Sequence, residues 1–185
     1  MESTTLNEEE LLSDEFEKVL EEYNYCDFKE NREAMLHFLQ HNNCREVIPI
    51  AKCINGDKLA FSFCFASANN HSDILQAFLD QGMNIDIKNK FGNTALILAS
   101  DFGDRKVVEL LLQKNADVNI QSNLGVSALM SAATLGNKEV VQLLLNYNAD
   151  VDLKNEDGQT ALDLAKTEEI KEMIRNHVSA SYVLK

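Results

Sequence analysis

The sequence predicts an all-α protein: a stack of short helix pairs joined by hairpin-like loops. Three observations carry that expectation. The stretch NADVNIQ at 115–121 recurs as NADVDLK at 148–154, and a worn copy, GMNIDIK, occupies 82–88, so the chain repeats itself every 33 residues. At that period the glycines fall into columns. Gly92, Gly125 and Gly158 share one phase, Gly103 and Gly136 share a second with Asn70, and Gly82 shares a third with Asn115 and Asn148. Gly and Asn are the residues that tolerate positive φ, so each column marks a joint where the backbone turns through the left-handed region. Between joints the apolar residues keep helical spacing: Val107, Val108, Leu111 and Leu112 are matched by Val140, Val141, Leu144 and Leu145.

Each unit then reads as helix, tight turn, helix and loop. The first helices are TALILAS from Thr94 and SALMSAA from Ser127; the second are RKVVELLLQ from Arg105 and KEVVQLLLN from Lys138. Thr94, Ser127 and Thr160 are suited to start first helices, and Asp104 and Asn137 to cap second ones. Helices of two or three turns are not stable alone in water, and one pair cannot bury its own apolar face. Neighbouring units must therefore stack.

The period and the segments GNTALILASDFGDRKVVELLLQKNADVNIQ and GVSALMSAATLGNKEVVQLLLNYNADVDLK resemble ankyrin repeats. The resemblance implies an α-solenoid of about four repeats within 56–185, with a degenerate copy at 56–88, clear copies at 89–121 and 122–154, and a shortened one at 155–180. The chain departs from the family's Thr-Pro-Leu-His, reading Thr94-Ala95-Leu96-Ile97, Ser127-Ala128-Leu129-Met130 and Thr160-Ala161-Leu162-Asp163, so the family histidine's hydrogen bonds are absent. In the 56–88 copy Leu59 stands for the turn glycine and Phe61 for the threonine, which predicts an irregular hairpin; Ile74, Leu75, Phe78 and Leu79 still share a helix face. In the last copy Glu169 replaces the second-joint glycine, while Met173 and Ile174 keep the apolar positions of a helix polar on its outside, as the end of a stack requires. Residues 1–55 read as an acidic N-terminal helical capping unit. Leu12, Phe16, Val19, Leu20 and Tyr23 keep helical spacing, NREAMLHFLQHNN resembles the second helix of a repeat, and Pro49 marks a helix start before the repeats.

Composition bounds the function. With 45% apolar and 25% charged residues among 185, the chain is that of an ordinary globular protein. No run of eighteen apolar residues occurs and the N-terminus MESTTLNEEELL is acidic, so a cytoplasmic protein is expected, with the nucleus left open. The net charge is −13, and residues 1–55 carry 13 acids against 5 bases. Such a balance repels phosphate backbones and anionic membranes, so neither nucleic acid nor membrane is the expected partner. Cys26, Cys44, Cys53 and Cys64 contain no Cys-x-x-Cys pair, and buried thiols are the simplest account.

No catalytic set stands out, because the helical phases give His37, His41, His71 and His177 no reason to meet a cysteine such as Cys44 or Cys64. Asp86, Asp117, Asp150 and Asp152 recur by phase, and the simpler role for them is to tie down loop backbone rather than to hold a metal. No enzyme activity, cofactor, metal or small-molecule substrate is expected, and the chain reads as a monomer. The resemblance implies instead a concave groove, lined by hairpin tips and first helices, that binds another protein. It places Lys90, Phe91, Asn93, Asp101 and Phe102 there from one repeat, Asn123, Leu124, Val126, Thr134 and Leu135 from the next, and Glu156, Asp157 and Gln159 from the last. Phe91, Phe102, Leu124 and Leu135 would form an apolar patch, unless Phe102 and Leu135 are half-buried between repeats. The expected function is a non-enzymatic protein-binding module acting as adaptor or scaffold. The alternatives are a dedicated inhibitor masking one enzyme or basic target, and a pathogen or symbiont effector that binds a host protein.

Overall fold

The structure, a computed structural model, describes residues 62–183 together with Lys18, Val19, Met35, His37, Gln40 and Ala60. The cap expected over 1–55 lies outside the described residues apart from five of those positions, and so do Leu59, Phe61 and Pro49. Two compact units are distinguished, one of Met1–Ala66 with Asp73–Asn84, the other of Ser67–Ser72 with Ile85–Lys185.

In the first unit, helix α1 (Ser72–Asp80, its first residue belonging to the second unit) buries Ile74, Leu75, Ala77 and Phe78 and half-buries Leu79, which is the face its spacing predicts. Phe63, from a helical stretch at 62–68, meets Phe78 edge to face with ring centroids 5.9 Å apart. Such a pair contributes roughly 0.5–1.5 kcal/mol beyond the area it buries. The helix is closed by Gly82 at φ 86°, which lets the Met83 N–H reach the Phe78 carbonyl at 3.1 Å.

The second unit holds three helix pairs: α2 (Ala95–Phe102) with α3 (Arg105–Gln113), α4 (Ala128–Leu135) with α5 (Lys138–Asn146), and α6 (Ala161–Leu164) with α7 (Glu168–Val183). First helices pack on first helices, α2 on α4 and α4 on α6, while second helices pack on second, α3 on α5 and α5 on α7. The reason lies in their patterns. α2 and α4 are apolar almost all round and bury Ala95, Leu96, Ile97 and Ala99, or Ala128, Leu129, Met130, Ala132 and Ala133, so they belong in the middle of the stack. α3 and α5 carry one apolar stripe, and Val107, Val108, Leu111 and Leu112 are buried like Val140, Val141, Leu144 and Leu145.

The joints fall where expected: Asn70, Asn115 and Asn148 have φ between 59° and 64°, and Gly103 and Gly136 end the first helices at 74° and 86°. Thr94, Ser127 and Thr160 each accept the backbone N–H of the third helical residue, and Asp104 caps α3 through the N–H groups of Lys106 and Val107. Asn137 is a correction. Its side chain makes no cap bond to α5; its Nδ2 instead donates to the carbonyls of Ser100 and Asp101, tying the end of α4 to the end of α2. The hydrogen bonds expected to be missing with the family histidine are partly replaced, because the Asp163 carboxylate accepts from both the N–H and the hydroxyl of Thr160.

The loops are hairpin turns without strands; among the described residues the pairing is limited to one isolated bridge, Gln121 with Ser127. Each tip is closed by the same bonds, Asn89 to Asn93, Ser122 to Val126 and Asn155 to Gln159, with N–H to carbonyl distances of 2.9–3.0 Å.

Candidate protein-interaction surface

Successive tips are bonded to each other. The Asn123 N–H donates to the Phe91 carbonyl and the Glu156 N–H to the Leu124 carbonyl, both at 3.1 Å, and the Asn123 amide reaches the Lys90 carbonyl at 3.2 Å. Positions 33 residues apart therefore stand side by side: Lys90, Asn123 and Glu156 in one row, Phe91, Leu124 and Asp157 in the next. Each tip is stiffened from within, since Asn89 Oδ1, Ser122 Oγ and Asn155 Oδ1 accept the N–H groups two and four residues ahead. This column was missed in the sequence reading, although it carries the same 33-residue signal as the glycines.

The apolar side chains on these rows face solvent. Phe91 is 59% and Leu124 64% exposed, and Phe102 and Leu135, at the ends of α2 and α4, are 65% and 44% exposed. Phe102 and Leu135 are therefore not half-buried between repeats. Each is the last helical residue before a left-handed glycine, where the helix ends and no following turn covers the side chain. The Lys90 ammonium lies 5.0 Å from the Phe91 ring centre, where the ring's quadrupole attracts it.

The remaining expected contact residues divide. Asn123, Thr134, Glu156, Asp157 and Gln159 are exposed, whereas Asn93, Asp101 and Val126 are half-buried. Asp101 accepts the Ser131 hydroxyl at 3.0 Å and so also ties α2 to α4, whereas Thr134 donates to the Met130 carbonyl at 2.8 Å within its own helix.

The loop acids tie down backbone. Asp86 Oδ1 accepts the Asp117 N–H at 3.0 Å and Asn119 Oδ1 the Asp150 N–H at 2.8 Å, while Asp117 and Asp150 accept the N–H two residues ahead in their own loops. Burial pushes the Asp86 carboxyl above its ordinary value, opposed by the Asp117 N–H and reinforced by the Asp117 charge. The Thr160 N–H, then its hydroxyl, hold Asp163 below its ordinary value. Among the described residues no group of three or more His, Cys, Asp or Glu is placed to hold a metal ion. Cys64 is buried, and no described helix is long and apolar enough to cross a membrane.

Two depressions lie elsewhere. One of about 260 Å³ runs along the second helices between Arg105, Lys138, Leu143 and Met173; the other, about 410 Å³ in the first unit, is lined by Gln40, Asp73, Gln76 and Asp80.

Comparison with known proteins agrees with this architecture. A family model described as ankyrin repeats (3 copies) matches residues 23–122, beginning inside the segment expected to cap the stack, and one described as ankyrin repeats (many copies) matches 110–165. Among solved structures, the crystal structure of the ankyrin repeat domain of Bcl-3, described as a unique member of the IkappaB protein family, is similar at 33% identity with a TM-score of 0.59. That similarity covers 62% of this chain and 50% of the Bcl-3 domain, so the chain matches about half of that domain's length. No curated protein sequence matches.

Proposed function

Because the chain belongs to the ankyrin-repeat family, whose members are protein-interaction modules, we propose that it binds a partner protein through the face made by its hairpin tips and the ends of α2 and α4, and that it works as an adaptor or scaffold without chemistry of its own. One observation carries this reading. Four large apolar side chains, Phe91, Phe102, Leu124 and Leu135, are held in solvent on a framework of inter-repeat hydrogen bonds. Apolar residues held exposed on rigid backbone lose little conformational entropy on binding, which is what makes efficient interface anchors. The polar end of the stack is not the surface favoured here: its acids are engaged by Arg175, Lys171 and Lys138, and exposed pairs of that kind contribute little. A cytoplasmic setting and a monomeric state fit the reading and stay part of it.

The test replaces Phe91 and Leu124 together with Ser. Partner recovery from cell extract should fall at least about thirtyfold, the equivalent of roughly 2 kcal/mol for lost central anchors, while the melting curve stays in place. Normal recovery by the variant would move the binding surface elsewhere. A hydrolase, transferase or nucleotide-binding activity lost on mutating a single cysteine or histidine would overturn the non-enzymatic reading.

A further inference from the structure

We propose that the segment bound by this surface has a fixed charge order: apolar side chains over Phe91 and Leu124, continued on the side of the last hairpin by a cluster of lysine or arginine. This rests on the reading that the tip rows bind protein, and adds what kind of segment they take. The rows change character along the stack. One reads Lys90, Asn123, Glu156 and the other Phe91, Leu124, Asp157, and the two tip-to-tip hydrogen bonds at 3.1 Å make that order spatial as well as sequential. The surface therefore runs from a cation beside an aromatic ring, over apolar ground, to two adjacent carboxylates.

Those two carboxylates differ from their acidic neighbours. Glu168 is taken by Arg175 and Lys171, Glu169 by Lys138, Asp163 by Thr160 and Asp101 by Ser131. Glu156 and Asp157 are exposed, and among the described residues neither carboxylate has an ion pair or a hydrogen bond; the Asn155 side chain takes the Asp157 N–H instead. Packed helices lie about 8–10 Å apart, so the carboxylates stand about one such spacing from Leu124, within a Debye length of whatever covers it. An apolar or acidic continuation of the partner would leave two carboxylates partly desolvated and unpaired or repelled, whereas a cationic one pairs them. The same logic at the other end disfavours a cation over Lys90, which fixes the order.

The test is selection of random displayed dodecapeptides on the full chain, followed by binding measurements on individual synthetic peptides. The wild-type chain should enrich peptides that combine apolar anchors with Lys or Arg. The E156K/D157K variant should bind those peptides about tenfold or more weakly and, in a fresh selection, should enrich Asp and Glu instead. Because the chain is acidic overall, E139K/E172K, which makes the same charge change on the second helices, serves as control and should leave the basic preference intact. Absence of binders, binders without basic enrichment, equal basic preference in E156K/D157K, or loss of that preference in E139K/E172K would each overturn the proposal. The two readings fail separately. Peptides that still bind the F91S/L124S variant refute the surface itself, whereas peptides that need Phe91 and Leu124 but ignore Glu156 and Asp157 refute only the charge order.

Discussion

The repeat at 122–154 shares a plan with the shortened repeat that begins at Asn155, and within the second unit it differs in having a repeat packed on either side. The difference is clearest at one column. Gly125 and Gly158 have nearly the same backbone, φ 73° and 76°, yet a Cβ on Gly125 would lie 2.8 Å from the Asn155 Cα, whereas one on Gly158 would meet nothing within 4 Å. Inside the stack the glycine answers to two demands, a left-handed backbone and the close approach of the next hairpin. At Gly158 it answers to one. Gly125→Ala should therefore cost about 1–2 kcal/mol for the backbone and about 1–3 more for the clash with unyielding main chain. Gly158→Ala should cost only the first part. Urea unfolding of the two variants measures the gap, and equal costs would break the comparison.

The first helices sharpen it. α4 is eight residues long and closed by Gly136, whereas α6 has four residues and runs into Ala165 in extended conformation. So short a helix leans on its cap, and the Thr160–Asp163 pair supplies reciprocal bonds where the corresponding position in α4 offers only the Met130 thioether, 3.5 Å from the Ser127 N–H. Thr160→Ala should cost about 1 kcal/mol, the usual value of a lost cap, and appear as faster amide exchange confined to 161–164. Acid should do the same. Asp163 has a folded-state value below its ordinary one of 3.8, so its contribution is complete above that pH and lost as pH falls through the folded value. Met130 does not titrate, and α4 should show no matching transition.

Much of this was legible in the sequence, for a physical reason. A joint demanding positive φ restricts residue choice so strongly that Gly and Asn recur on schedule, and the buried stripe Val140, Val141, Leu144, Leu145 follows from helical spacing alone. What was illegible depends on contacts between repeats. Asn137 looks like a cap because Asn caps helices, yet its amide is drawn to two carbonyls 36 and 37 residues upstream. Likewise, the exposure of Phe102 depends on where α2 ends relative to α4, which no local pattern encodes. The face of tips and helix ends was inferred from family resemblance, and the alignment of Phe91 with Leu124 became geometric only through the bond from Asn123 to Phe91.

Phe102 distinguishes exposed from structural apolar residues within the same repeats. A buried phenylalanine truncated to alanine costs roughly 3–5 kcal/mol, and Leu96→Ala in the same helix should fall in the roughly 2–5 kcal/mol range of core leucines. Phe102→Ala, at 65% exposure, should cost about 0.5 kcal/mol or less. A large loss would show that the ring supports the stack despite its exposure, and would remove it from the binding face.

The smallest effect concerns two equivalent loop positions that chose different acceptors. Asp86 takes the Asp117 N–H and, 33 residues on, Asn119 takes the Asp150 N–H, so a charged and a neutral oxygen do the same task in adjacent loops. The carboxylate is the less suited, since burial and the Asp117 charge raise its value above 3.8 in the folded chain. A raised acid binds its proton more readily when folded, so stability increases as pH falls through the folded value, and the ionised form at neutral pH is a cost. Asp86→Asn keeps the accepting oxygen and removes that cost. At pH 7 it should raise stability by a few tenths of a kcal/mol, the scale of exposed substitutions, and the gain should vanish below about pH 3, where Asp86 is protonated in folded and unfolded chains alike. Asn119→Asp is the mirror experiment: because Asn119 is exposed, the new charge meets less burial, so it should lower stability at pH 7 by less than Asp86→Asn raises it and recover in acid. If both changes shift stability in the same direction at pH 7, the charge at this column is not what separates the two loops.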